Sequence, residues 1–321
     1  MTAPTTAHFL SDIEIKEFKC FADFKASGFK RVNLIGGKNN VGKTAFMEAC
    51  YINVHSVDVN KMMTAIYGIK QIREKINLIF SDIDALKFLD TTRVYISKSN
   101  LGKKEFSIVE KDAVKKYEFN INDDEPKIIN ARDLSLNFSA IYNIKIIDNF
   151  GWNDLALIKA YQSIQKQDKE SELNECVNEF DNSIESFKVI GDKPQCKTNG
   201  EYRDISEFGD GLRHYISIIF ALYACENGYL FIDEIDNGIY YDQLDRLWEI
   251  ILTLSKQTNC QVFATTHSKE MLESFARVAK KLNEQDVSYT RLIRNKKQEL
   301  KSITFDYEVM EYSLENEHEV R

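Results

Sequence analysis

The sequence predicts an α/β fold organised around a mostly parallel central sheet. Val32 to Tyr51 reads as strand, glycine turn and helix in that order. Ile205 to Ala276 alternates helices with short apolar strands, the text of right-handed crossovers between parallel strands. Composition agrees: across 321 residues, 43% are hydrophobic and 29% charged, an ordinary globular balance, and only 3 Pro and 13 Gly punctuate the chain.

The elements follow in chain order. Leu10 to Lys16 sets Ile13 and Ile15 between charged residues, the pattern of a half-exposed strand. Val32-Asn33-Leu34-Ile35 is a buried strand running into two glycines, and Thr44 to Tyr51 has helix-forming residues with apolar spacing. From Ile52 to Leu89 the text is helical and mixed. RVYIS, EFSIV, YEFNIN and PKII then make an antiparallel meander of short runs divided by charged or Asn/Asp turns. Ala156 to Phe187 returns to helix. Beyond it come the glycine-bearing turn SEFGDG, a helix from Leu212, the strand YLFIDE, a helix from Tyr240 and the strand CQVFATTHS. The chain therefore divides into a first core half at 9–54, an inserted helical and antiparallel region at 55–154, a helical subdomain at 155–204, and a second core half at 205–321.

Bulk properties exclude several classes. No run of about 18 apolar residues exists, and the opening MTAPTTAHFL lacks a secretory pattern, so the expected location is the cytoplasm with no membrane span. The six cysteines have no close pair and read as reduced, mostly buried thiols. A net charge of −8 argues against a whole-molecule grip on nucleic acid, leaving only a local patch as a route to it. Lys98, Lys103, Lys104, Lys111, Lys115 and Lys116 in the meander, and Arg277, Lys280 and Lys281 later, are interleaved with acids and read as solvated faces.

Gly37-Lys38-Asn39-Asn40-Val41-Gly42-Lys43-Thr44, with Ala45 entering the helix, fits G-x-x-x-x-G-K-[ST] between a strand and a helix. Glycines in such a loop let consecutive N–H groups face a phosphate, and the helix adds its positive end. Lys43 then reaches the β- and γ-phosphates, and the Thr44 hydroxyl ligates Mg²⁺. The matching acidic pair is Asp233-Glu234 at the end of the apolar run Tyr229 to Ile232. Asp233 is placed to hold Mg²⁺ through water, and Glu234 to act as general base on the attacking water. His267 ends a further apolar strand, where it faces the γ-phosphate if that strand neighbours the first.

With these motifs in order, the chain resembles the ABC-class ATPase heads of the SMC, RecF and OLD group, and most closely the short bacterial AAA-labelled ATP-binding proteins related to OLD. The text that carries the resemblance is IEIKEFKCF leading to NLIGGKNNVGKT, then ISEFGDGLRHYISIIFALYACENGYLFIDEIDNGIYYDQLDRLWEII, then QVFATTHSKEM, together with a closing hairpin and acidic helix. It spans residues 10–54 and 155–321. The resemblance implies a P-loop NTPase of ABC-ATPase head type, with ATP and Mg²⁺ as ligands. It puts the family's signature loop on Phe208-Gly209-Asp210-Gly211, where Gly209 and Gly211 cap a partner's γ-phosphate. Gly209 replaces the serine of many relatives, so backbone N–H groups and the following helix must do the capping. Asp236, Asn237 and Gly238 match the loop at the dimer seam, and Gln162 is the candidate for a metal-sensing glutamine. The implied function is a switch: two heads close around ATP, hydrolysis separates them, and a separately encoded effector, commonly a nuclease in anti-phage defence, reads the state. DNA-related maintenance is the neighbouring role, and a non-catalytic nucleotide-dependent scaffold or inhibitor of a partner is the alternative.

Overall fold

The computed structural model describes residues 9–74, 95–111, 114–122, 124–130 and 141–310. Among the described residues three sheets carry the architecture. The central sheet contains β3 (Val32–Gly36), β8 (Ile144–Ile147), β12 (Tyr229–Ile232), β13 (Gln261–Thr265), β14 (Val287–Arg294) and β15 (Leu300–Asp306). Its order is β15-β14-β3-β13-β12-β8, and only the β14–β15 pair is antiparallel.

Period-two burial makes this sheet the divider between two cores. Leu230, Ile232, Val262 and Ala264 point into one cluster, while Tyr229, Phe231 and Phe263 point into the other. On the second face, Phe231 stacks on Phe263 with centroids 5.4 Å apart, and Tyr51 meets Phe231 edge-on. That face is covered by α1 (Lys43–His55) and α2 (Val59–Glu74). The other is covered by α3 (Asp154–Lys166), α4 (Glu170–Phe180), α5 (Asp210–Ala224), α6 (Leu244–Gln257) and α7 (Lys269–Lys281). Asn33 is a buried polar residue inside a strand, and its amide is satisfied by Lys30 O, Val262 O and the Ser288 hydroxyl.

The expected meander exists as β4 (Tyr95–Ser99), β5 (Gly102–Lys111), β6 (Val114–Ile121) and β7 (Lys127–Asn130). It does not stand alone. β4 pairs with β1 (Asp12–Phe18), which pairs with β2 (Phe21–Ser27), giving one six-stranded antiparallel sheet. Tyr95, Phe106, Tyr117 and Phe119 from its inner face pack on α1 and α2.

Two stretches differ from the sequence expectation. β8 lies within the stretch read as an insertion, yet it pairs in parallel with β12 and becomes the edge of the central sheet. The helical reading of Ala156 to Phe187 ends early: α4 stops at Phe180 and is followed by a three-stranded antiparallel sheet, β9 (Ser186–Ile190), β10 (Lys193–Thr198) and β11 (Glu201–Asp204). The closing hairpin is β14–β15, while the acidic helix after residue 310 lies outside the described residues. Among the described residues no helix is long and apolar enough to cross a membrane.

Candidate active site

Parallel pairing gathers four strand ends along one edge, where crevices of open α/β sheets place their chemistry. β3 delivers the glycine loop, β13 delivers Thr265, β12 delivers Asp233, and β8 delivers Asp148 and Asn149.

The loop has no room for side chains where it must be bare. Gly37 sits at φ 141°, and a Cβ there would lie 2.6 Å from the Leu292 carbonyl oxygen. Gly42, at φ 102°, caps α1 and would place a Cβ 2.6 Å from the Cys20 sulfur. Asn40 takes a left-handed φ of 60° between them. Lys38 and Asn39 lie on the exposed rim of this loop, Val41 is buried beneath it, and Ala45 is buried in the first turn of α1. The Lys43 ammonium folds back to donate to Gly37 O at 3.0 Å and Lys38 O at 3.2 Å. Burial lowers its pKa, and the carboxylates of Glu234, Asp233 and Asp236 act in the opposite direction.

Across the strands, the Thr44 hydroxyl donates to Asp233 Oδ1 at 3.2 Å over a sequence gap of 189 residues. A second hydroxyl, Thr265, donates to the same oxygen at 2.6 Å and accepts from the Glu234 N–H at 2.8 Å. Sequence reasoning did not assign Thr265, although VFATT displays it two residues before His267. Glu234 adopts φ 49°, a costly conformation for a non-glycine residue. The turn lets Ile235 N donate to Thr265 O at 3.0 Å, tying the acidic pair to β13.

Hydroxyl and carboxylate oxygens are the donor chemistry of a hard cation. Among the described residues no cluster of three His, Cys, Asp or Glu could hold a metal alone. Thr44 and Asp233 therefore fit a Mg²⁺ that keeps waters and takes its remaining oxygens from a phosphate, as magnesium at nucleotide sites does.

The loop after the acidic pair packs on the glycine turn of its own chain. Gly209, at φ 84°, caps α5, and a Cβ added to it would meet nothing within 4 Å. Gly211, by contrast, is so close to Gly238 that a Cβ would lie 1.9 Å from its carbonyl oxygen. His214, fully buried on α5, pairs Nδ1 with Asn237 O at 3.2 Å, and burial lowers its pKa. The helix thus begins at Asp210, two residues earlier than the sequence placed it.

His267 is exposed directly beyond β13, the strand beside β3. Gln162 is on the exposed side of α3, whose buried row is Leu157, Tyr161 and Ile164, so it does not join the acidic pair. The position beside Glu234 belongs instead to Asn149, whose Nδ2 donates to Glu234 Oε2 at 3.4 Å. Several of the basic residues are engaged locally: Lys103 with Glu105, Arg277 with Asp245, and Lys281 with Glu249. The side chains of Lys111 and Lys115 lie outside the described residues.

Fold and site together define a P-loop ATPase on an ABC-type head. An AAA ATPase domain family model matches residues 153–272, the part holding the glycine turn, acidic pair and His267. A Helicobacter pylori protein named ATP/GTP phosphatase is 27% identical, the alignment covering 96% of this chain and 98% of that protein. Among solved structures, an Smc head bound to the C-terminal winged-helix domain of ScpA aligns at TM-score 0.54 with 12% identity, covering 94% of this chain and 99% of its own. An Smc head with an extended coiled coil, bound to the C-terminal domain of ScpA from Pyrococcus furiosus, aligns at 0.52 with 11% identity, covering 97% and 100%. The head fold is shared with both.

Proposed function

We propose that the chain is a cytoplasmic, ATP-driven switch: two copies close around Mg-ATP, hydrolysis reopens them, and a separate protein reads the state. The observation that carries this reading is the open signature turn. Gly209 faces clear space at the N-terminus of α5, so its backbone can approach the phosphate of a second copy, while Gly211 beside it is locked to the seam loop. Glycine at this position removes the hydroxyl of many relatives without removing the N–H donors.

Within one copy, Lys43 and the loop N–H groups bind the β- and γ-phosphates, and Thr44 and Asp233 hold the metal. Glu234 takes the proton of the attacking water, and His267 faces the terminal phosphate from the tip of β13. Bound Mg²⁺ supplies charge neutralisation on the phosphate oxygens. ATP contacts the closed pair differently from ADP, and that difference is what allows the ligand to move the equilibrium.

The OLD-like text around the glycine loop and QVFATTHSKEM supports a place beside the OLD-related ATPases. The partner we favour is accordingly a separately encoded effector, a nuclease in anti-phage defence or DNA-related maintenance. The Smc heads bound to ScpA support a protein partner of some kind. With a net charge of −8 and lysines such as Lys103 and Lys281 paired to acids, the head is not itself built for a broad nucleic-acid contact.

The test is Glu234→Gln, which keeps the side-chain shape and removes the base. Phosphate release should fall by about 10² or more, and light scattering should show a dimer with ATP and a monomer without it. A variant that stays monomeric with ATP refutes the switch.

A further inference from the structure

We infer that Asn149 is a positioning residue for the catalytic base, and that through Asn237 it joins that base to the signature helix of the same chain. The inference rests on the assignment of Glu234 as the base and adds to it a group that no motif supplies.

The geometry is a short relay. Asn149 follows β8, in a turn closed by Gly151 N donating to Asp148 O at 3.2 Å and by Phe150 N donating to Asp148 Oδ1 at 3.0 Å. That turn points the Asn149 amide at Glu234, with Nδ2 3.4 Å from Oε2. A carboxylate only accepts, so the amide nitrogen is the group that faces it. On its other side, the Asn149 main-chain carbonyl accepts from Asn237 Nδ2. Asn237 O meets Nδ1 of His214, which is 0% exposed on α5. Both asparagines are half-buried, where a donated bond to a charged group is stronger than in water. One carboxylate oxygen of the base is thus held, and the other is directed to the water it must deprotonate. Movement of α5 is felt at the Glu234 carboxylate through three hydrogen bonds, His214 to Asn237, Asn237 to Asn149 and Asn149 to Glu234.

Asp and Asn have the same shape but differ at the atom in question, which separates positioning from packing. In the full-length chain, Asn149→Asp puts an acceptor against the Glu234 carboxylate, Asn149→Ala removes the side chain, and Asn149→Gln keeps an amide donor. We expect kcat to fall roughly 10- to 100-fold in the Asp and Ala variants, with the Asp variant at least as impaired as the Ala variant. The Gln variant should recover part of the loss. Mg-ATP binding by calorimetry should stay within about twofold of wild type, because none of the phosphate-binding groups is touched. An Asp variant with near wild-type kcat overturns the inference, as does a loss that appears wholly in ATP binding. Should the Asp variant fail to fold, Ala against Gln decides by the same criterion. Glu234→Gln run in parallel separates the two levels: if it keeps wild-type turnover, the base assignment falls and the inference with it. If it is inactive while Asn149→Asp and Asn149→Ala are unimpaired, only the inference falls.

Discussion

At the C-terminal end of α1, His55 is 1% exposed, and neither ring nitrogen has a hydrogen-bond partner among the described residues. Burial drives its pKa down to about 4, with Lys61 and Lys145 adding to the effect and Asp58 opposing it. The neutral ring is therefore the folded form, whereas the unfolded chain takes up a proton below about 6.5. Stability is intact above that value and falls as pH drops toward about 4, where the loss reaches roughly 3 kcal/mol. His55→Leu should flatten this part of the curve while leaving stability at pH 7 equal or higher, as read by urea melts from pH 7 to pH 4; an unchanged acid slope would place the sensitivity elsewhere. The site residues show the converse case, in which local text is enough. Gly37, Lys43 and Thr44 are legible because the G-x-x-x-x-G-K-[ST] spacing implies a loop, and Asp233 and Glu234 because they end an apolar run, although nothing local announces the left-handed φ of Glu234. Asn149 and Thr265 act through contacts 85 and 32 residues away in sequence, and an isolated Asn or Thr carries no pattern that announces this. Gln162 was read by residue type, and the apolar row of α3 turned it outward.

Among the elements, α5 has little tolerance at its first turn. The backbone of Gly211 lies against Gly238, and one turn on, α4 meets the helix through Phe180, stacked on Tyr215 at 3.9 Å. Gly211→Ala must push a methyl group into the Gly238 carbonyl, so we expect about 1–3 kcal/mol of destabilisation, typical of overpacking. Turnover should fall further than stability does, because Asn237 moves with Gly238. Thermal melting and phosphate release measured together check this; an alanine variant with wild-type melting and turnover would show that the two loops are not locked. Strands β3, β12 and β13 were legible since each is a continuous apolar run beside a chemical motif. β8 was not, because IKII is four residues long and resembles any buried fragment. The β9–β11 sheet was hidden by short polar strands, one of them containing Pro194, after the amphipathic text of α4.

For the molecule as a whole, the central sheet both divides two cores and aligns four strand ends, so one topological fact accounts for the hydrophobic pattern and for the active edge. Strand order was predictable only as far as alternation of strands and helices allowed. That β13 lies between β3 and β12, and so brings Thr265 between the loop and the acidic pair, follows from packing rather than from any local signal. The most direct test is calorimetric titration of the folded wild-type chain and of Asp233→Ala with ATP, in magnesium and in EDTA. Saturable uptake that requires magnesium and is weakened by Asp233→Ala is the expected result. Well-folded wild-type protein that takes up no ATP in magnesium, or an Asp233→Ala variant that binds with unchanged magnesium dependence, would contradict it.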